Sequence, residues 1–297
     1  MADATREIFD LVSVPVTEWA TTAVLRTFNA QRSEDPDRSS DSATWVTVRG
    51  GEGYLRHPDS EDASRGAPEV VAVTLSLDGW TYADALAEIE SRCGRPATMG
   101  GDGPWLRWPT SDTRLIVLDC LSQDEPLLHL EHAEWNEQDE YWWFKWGEVQ
   151  SAPYQWRIDL ADPPNGTWFP GGFEVDSLDG FETQFGEVCA SLAHAATVLP
   201  DSYLQAVNVT VLRRAHREEW VQFYATGHRL FGNVGRSWQE VPQGKPKVEE
   251  LVEVLLEEIR RWGVEPSELS GGGYATLGPS AAPMPINFTT LDLDELT

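Results

Sequence analysis

Apolar and polar positions follow two rhythms along this chain, and their order sketches an architecture. From 177 to 198, Phe181, Phe185, Val188, Leu192, Ala196 and Leu199 recur at spacings of three and four, the stripe of an amphipathic helix. Val248, Leu251, Val252, Leu255, Ile259 and Trp262 repeat the pattern over 248–262. Glutamates open that segment and Arg260 and Arg261 close it, which suits the helix dipole, and Gly263 can end it. A shorter helix is predicted over 17–30, with Thr17 as cap and Ala20, Val24 and Phe28 on one face. Another follows Thr81, which forms a capping-box pattern with Asp84; Leu86, Ile89 and Cys93 share its face, and Gly94 and Pro96 stop it.

Between the helical stretches the period falls to two. TWVTVR and GYLRH, joined at 50–53, read as a hairpin, and VVAVTLSL at 70–77 as a strand. TRLIVLDCL at 113–121, LLHLEHAEW at 127–135, YWWFKW at 141–146 and YQWRIDL at 154–160 continue the series. In the second half, YLQAVNVTVL, EWVQFYA and HRLFGNV form a meander. Prolines and glycines at 161–172 break every periodicity. The expected organisation is α+β in two domains, each an antiparallel sheet packed against one or two helices. Residues 1–160 form the first domain, with an aromatic-rich sheet, and 161–172 a linker. Residues 173–297 form the second: helix, meander, helix, and a tail whose Gly, Pro and Ser content reads as irregular. A chain of 297 residues is long enough for two cores.

Composition adds a constraint on partners. Hydrophobic residues at 41% and charged residues at 24% are ordinary for a folded chain. The net charge of −27 is not ordinary. Such a field opposes nucleic acid, whose binding relies on cations that neutralise phosphates, and opposes anionic membranes. It favours basic proteins and peptides. The three cysteines, Cys93, Cys120 and Cys189, form no CxxC pair and no disulfide framework. The charged N-terminus lacks a leader's apolar stretch, and no apolar run is long enough to cross a membrane, so cytoplasm is the expected location. GxSxG, HExxH, GxxxxGK[ST] and GxGxxG are all missing, so no cofactor is expected and the chain reads as non-enzymatic.

Three clusters bear on chemistry. His129, Glu131, His132 and Glu134 could ligate a metal from a helix, but on a strand His129 and His132 point to opposite faces, so no metal site is expected. Arg213, Arg214, His216 and Arg217 form a basic turn, either a solvated hairpin tip or a docking point for the acidic remainder of a second copy. The most unusual segment runs from Trp135 to Trp156. Trp135, Tyr141, Trp142, Trp143 and Trp146 occur there beside Glu137, Asp139 and Glu140. Neighbouring strand residues face opposite ways, so these rings either fill a sheet covered on both sides or leave one row exposed. An exposed row could hold a peptide bearing arginine or lysine through stacking and cation–π contact. It could also hold a sugar, with two carboxylates as acid and base.

The second half resembles a known family. A helix and a strand lead to Trp220-Val221-Gln222-Phe223, then to Leu230-Phe231-Gly232-Asn233-Val234, and an acidic helix ends at Trp262-Gly263 before Pro266. This order, over 177–267, resembles the peptide-binding chaperone-like domains of actinobacteria, which are similar to type III secretion chaperones. The resemblance implies an acidic, non-enzymatic and often dimeric protein that holds an extended client segment. Many members carry an acidic residue after the third-strand glycine, where this chain has Asn233. The functional expectation is a protein- or peptide-binding module for a basic partner, chaperone-like or an antidote (immunity) protein, with a homodimer possible. The alternative is a small-ligand enzyme or carbohydrate-binding protein using the Trp135–Trp156 region.

Overall fold

The computed structural model describes residues 7–33, 39–40, 42–49, 51–100, 105–110, 113–119, 126–136, 156–160, 175, 177–201, 203–234, 237–242, 245–278, 283–288 and 291. The fold is α+β, with antiparallel sheets and helices in two compact units. One unit comprises Met1–Met99, Trp105–Trp142 and Asp159–Thr167; the other comprises Gly100–Pro104, Trp143–Ile158 and Trp168–Thr297. The proposed linker at 161–172 lies outside the described residues. Trp156 and Arg157 pair with a strand of the second unit.

The first unit has strands β1 (Ala43–Val48), β2 (Gly51–Arg56), β3 (Ala72–Ser76), β4 (Trp105–Pro109), β5 (Arg114–Asp119) and β6 (Leu127–His132). They lie side by side in the order β1–β2–β3–β6–β5–β4, every pair antiparallel. Alternation sends Val46, Leu55, Val73, Leu75, Ile116 and Leu130 to one face, where all are buried. Helix α1 (Thr21–Phe28) and helix α2 (Tyr82–Cys93) bury Val24, Phe28, Leu86 and Ile89. Helix α1 starts at Thr21, four residues past the expected cap Thr17. No side chain at Ala20 caps it; Glu69, from a distant loop, accepts from the Thr21 N–H at 2.8 Å. A carboxylate at a helix start satisfies an orphan donor, and local sequence cannot show that one arrives from elsewhere. Helix α2 follows its sequence signals: Thr81 accepts from the Asp84 N–H, and Gly94 ends it at φ 75°. A 3-10 segment at Glu7–Ser13, absent from the sequence reading, buries Ile8, Phe9, Leu11 and Val12. The buried guanidinium of Arg114 ties it down by donating to the Val12 carbonyl at 3.0 Å.

The second unit contains β7 (Trp156–Asp159) as far as Ile158, helix α3 (Leu178–Val198), β8 (Ala206–Arg213), β9 (His216–Thr226), β10 (Arg229–Val234) and β11 (Ser237–Pro242). Helix α4 (Lys245–Trp262) and strands β12 (Leu269–Thr276) and β13 (Pro283–Phe288) complete it. The strand order is β7–β13–β12–β8–β9–β10–β11, again antiparallel. Ser177 caps α3, and Gly263 follows α4 at φ 61°. Helix α4 starts three residues earlier than its apolar stripe, with Pro246 in its first turn, where a missing N–H is harmless.

One expectation is overturned in this unit. The segment after Gly263, read as irregular, supplies β12, which pairs along its whole length with β8. Three glycines in a row argue against a strand by propensity. Here close packing requires one of them: a Cβ on Gly273 would lie 2.2 Å from the Asn208 carbonyl oxygen and 2.8 Å from the Phe288 ring. Tertiary fit overrides local preference.

Candidate functional site

Helices α3 and α4 cover one face of the second sheet. Val207, Val209, Val211, Val221, Phe223 and Leu230 project there and are buried. Gly232 belongs to the same face, for a Cβ on it would meet Leu251 of α4 at 2.5 Å. Arg260 of α4 holds Glu182 of α3 through two hydrogen bonds of 2.8 and 2.5 Å, fixing the helix pair.

The opposite face carries a different set, dictated by the period of two. Asn208, Thr210 and Leu212 alternate with the buried valines of β8, and Trp220, Gln222 and Tyr224 with the buried positions of β9. All six are half-buried. The register aligns these side chains in rows across the strands. In the first row Tyr274, Asn208, Tyr224 and Phe231 are successive neighbours, on β12, β8, β9 and β10. Tyr224 and Phe231 meet edge to face at 5.7 Å, and Tyr274 is 46% exposed, the exposed large hydrophobic among the described residues. In the second row Gly272, Thr210, Gln222, Asn233 and Trp238 are neighbours. The third contains Ser270, Leu212 and Trp220.

From Gly272 to Asn233 the second row is polar and low. Gly272 has no side chain, and the Gln222 amide donates to Thr210 Oγ1 at 2.8 Å. Asn233 is the anomaly. It is 2% exposed, and its Oδ1 has no hydrogen-bond donor. A buried acceptor without a donor is uncommon because it loses water and gains nothing, at a cost of about 1–3 kcal/mol. The site is therefore a polar trough with a wall of rings on one side and Leu212 and Trp220 on the other, and one unmet acceptor in its floor.

The first sheet also has a polar face. Thr74 Oγ1 lies 3.0 Å from His129 Nδ1, and His129 Nε2 lies 3.8 Å from Asp119 Oδ2. Arg56 reaches across the small Ala72 to Glu131 at 3.8 Å, and Asn136 donates to the same carboxylate at 2.8 Å. Burial pushes the His129 imidazole below its ordinary pKa; Glu131 and Asp119 pull it back up and Arg56 adds to the fall. Hydroxyl, imidazole and carboxylate in line resemble a nucleophile relay. A nucleophile must be reachable, and Thr74 is 2% exposed. These contacts knit neighbouring strands together.

His129 and Glu131 share a face of β6, whereas His132 stacks edge-on against Trp19 at 5.3 Å on the other side. Among the described residues no group of three or more His, Cys, Asp or Glu is placed to hold a metal. Of the aromatic and acidic segment, Trp135 is buried at 6% exposure, and its backbone N–H donates to His132 Nδ1. Trp156, at its far end, is fully buried and donates to Ser191 Oγ of α3 at 2.8 Å. Tyr141, Trp142, Trp143, Trp146, Glu137, Asp139 and Glu140 lie outside the described residues. In the basic turn, Arg213 pairs with Glu219 at 3.0 Å and His216 with Glu218 at 3.5 Å, while Arg214 donates to the Leu269 carbonyl.

Tryptophan density in the sequence points to 135–156 and not to the trough. Its signal was present in the alternation of Asn208, Thr210, Gln222 and Tyr224 with valine and phenylalanine. What sequence lacked was the pairing partner β12, which brings Tyr274 and Gly272 alongside. No helix among the described residues is long and apolar enough to cross a membrane. No protein family, no curated protein and no solved structure matches the chain.

Proposed function

We propose that this chain is a non-enzymatic peptide-binding protein, a chaperone-like holder or antidote for a basic partner, and that the face of the second sheet opposite its helices is its grip. The observation that carries the reading is the trough itself: half-buried rings and amides on the side of the sheet opposite the helices, with Tyr274 exposed beside them. Aromatic side chains give much contact area for little lost entropy, and amides satisfy the donors and acceptors of an extended backbone. The charge of −27 supplies the attraction that speeds encounter with a basic segment and disfavours acidic ones.

Fluorescence anisotropy with labelled dodecapeptides tests it. Peptides alternating valine with arginine or serine should bind, and binding should weaken as salt is raised from about 50 to 300 mM. Charge-inverted peptides with aspartate in place of arginine should not bind. A soluble β-glucan serves as the competing ligand, because rings beside amides also suit sugars. Binding of the glucan without any peptide would overturn the proposal in favour of carbohydrate recognition.

A further inference from the structure

We propose that Thr44 is an activated hydroxyl that accepts an acyl group from a neutral activated ester, with His57 as its base and Glu69 positioning that base. The site lies in the first unit and stands apart from the peptide-binding reading; it makes the chain itself a target of covalent modification. Thr44 is the second residue of β1, and His57 directly follows β2. The β1–β2 register pairs Ala43 with Arg56, and the His57 N–H extends the ladder by donating to the Ser42 carbonyl at 2.9 Å. Thr44 Oγ1 and His57 Nε2 meet at 2.8 Å across this pair. On the other side of the ring, His57 Nδ1 lies 2.7 Å from the Glu69 carbonyl oxygen. The residues after Glu69 are anchored, since the Val70 N–H donates to the Trp19 carbonyl and the Val71 N–H to the Arg56 carbonyl.

This arrangement fixes the protons. A carbonyl oxygen can only accept, so Nδ1 carries the hydrogen and donates it. Neutral imidazole then keeps its lone pair on Nε2, and the Thr44 hydroxyl donates to it. A nucleophile, a base and an orienting acceptor within hydrogen-bond reach form the pattern of an activated hydroxyl. Glu69 also brings a carboxylate. Hydrogen bonds from Thr21 hold it below the usual carboxylate range and His57 adds a smaller pull, so a negative charge stands ready to stabilise an imidazolium. Thr74 beside His129 is sealed, whereas Thr44 and His57 are only half-buried. In the reaction Thr44 Oγ1 bonds to the acyl carbon while its proton passes to His57 Nε2. The bond to the leaving oxygen then breaks, and that oxygen departs with the electron pair and takes the proton back from Nε2. The products are O-acyl threonine and the free alcohol. The charge of −27 disfavours anionic phosphoryl donors, which leaves neutral acyl donors as the class.

Treating the full-length protein with p-nitrophenyl acetate and mapping acetyl groups by mass spectrometry tests this. Lys145, Lys245 and Lys247 are the only lysines, so competing amines are few. Thr47, on the same strand and more exposed, is the internal control. Thr44 should be acetylated roughly 100-fold faster than Thr47, the scale of one general base. His57→Gln should abolish that advantage, and Thr44→Ser should keep it. Equal acetylation of Thr44 and Thr47 in the wild-type protein overturns the proposal, whether or not the variants fold. An advantage of Thr44 that survives in folded His57→Gln overturns it as well. Neither result bears on peptide binding, which the anisotropy experiment reads separately.

Discussion

Asn233→Leu should make this protein more stable, which is unusual for a substitution at a buried polar position. Asparagine and leucine branch alike at Cγ, but two methyl groups are bulkier than a carboxamide, so packing offsets part of the gain. In the structure Asn233 is 2% exposed and its Oδ1 has no donor. An unmet buried acceptor costs about 1–3 kcal/mol, and that cost vanishes with the oxygen. The methyl groups enter a face that also holds the half-buried Phe231, two residues back on the same strand. The expected gain is thus at most about 1–3 kcal/mol, with a rise of roughly 2–4 °C in Tm per kcal/mol for a unit of this size. Urea unfolding followed by circular dichroism measures it, with separate transitions fitted for the two units. The midpoint of the second unit should move up with an unchanged slope, which separates a stability effect from a change in compactness. A loss of 1 kcal/mol or more would refute the reasoning, since it would mean that the oxygen is already satisfied.

Other perturbations probe the frame that holds this face. Ser191→Ala deprives the fully buried Trp156 indole of its acceptor and should cost about 1–3 kcal/mol in the same urea experiment. Gly273→Ala places a Cβ against the Asn208 carbonyl at 2.2 Å and should lower the Tm of the second unit by many degrees or abolish soluble expression, whereas Gly186→Ala on α3, whose Cβ would meet only Val252 at 3.8 Å, should keep it. The His129 imidazole is held below its unfolded value, near 6.5, mainly by burial. The unfolded chain therefore takes up a proton first as pH falls. Stability from this group is complete above about 6.5 and is lost as pH drops below it toward the folded pKa. Unfolding of the first unit between about pH 7.5 and 5.5 should show that decline, and His129→Gln should reduce its slope; an unchanged slope would count against it.

Helices were the legible part of this sequence, and the strand that completes the site was not. The stripes of α3 and α4 and the caps at Thr81 and Gly94 announce themselves because each signal is local. Helix α1 was misplaced at its start because its capping carboxylate, Glu69, is 48 residues away in the chain. Strand β12 was missed for the opposite reason: glycine reads as a breaker unless the tight contact at Gly273 is known. Without β12, neither Tyr274 nor the low floor at Gly272 could be set beside Asn208 and Thr210. Tryptophan density was a poor guide to exposure, as Trp156 shows by lying wholly within the second unit's core. Large rings collect in cores and at binding surfaces alike, and composition does not separate the two.

Chemical protection of Tyr274 tests the peptide grip most directly. This residue is 46% exposed at one end of the aromatic row, while Tyr54 of the first unit provides a half-buried reference. Nitration by tetranitromethane, mapped by mass spectrometry with and without a saturating arginine-containing dodecapeptide, reads both rings in one sample. Bound peptide should slow modification of Tyr274 several-fold and leave Tyr54 unchanged. Equal nitration of Tyr274 in the free protein and in a saturated complex would place the peptide elsewhere and contradict the account.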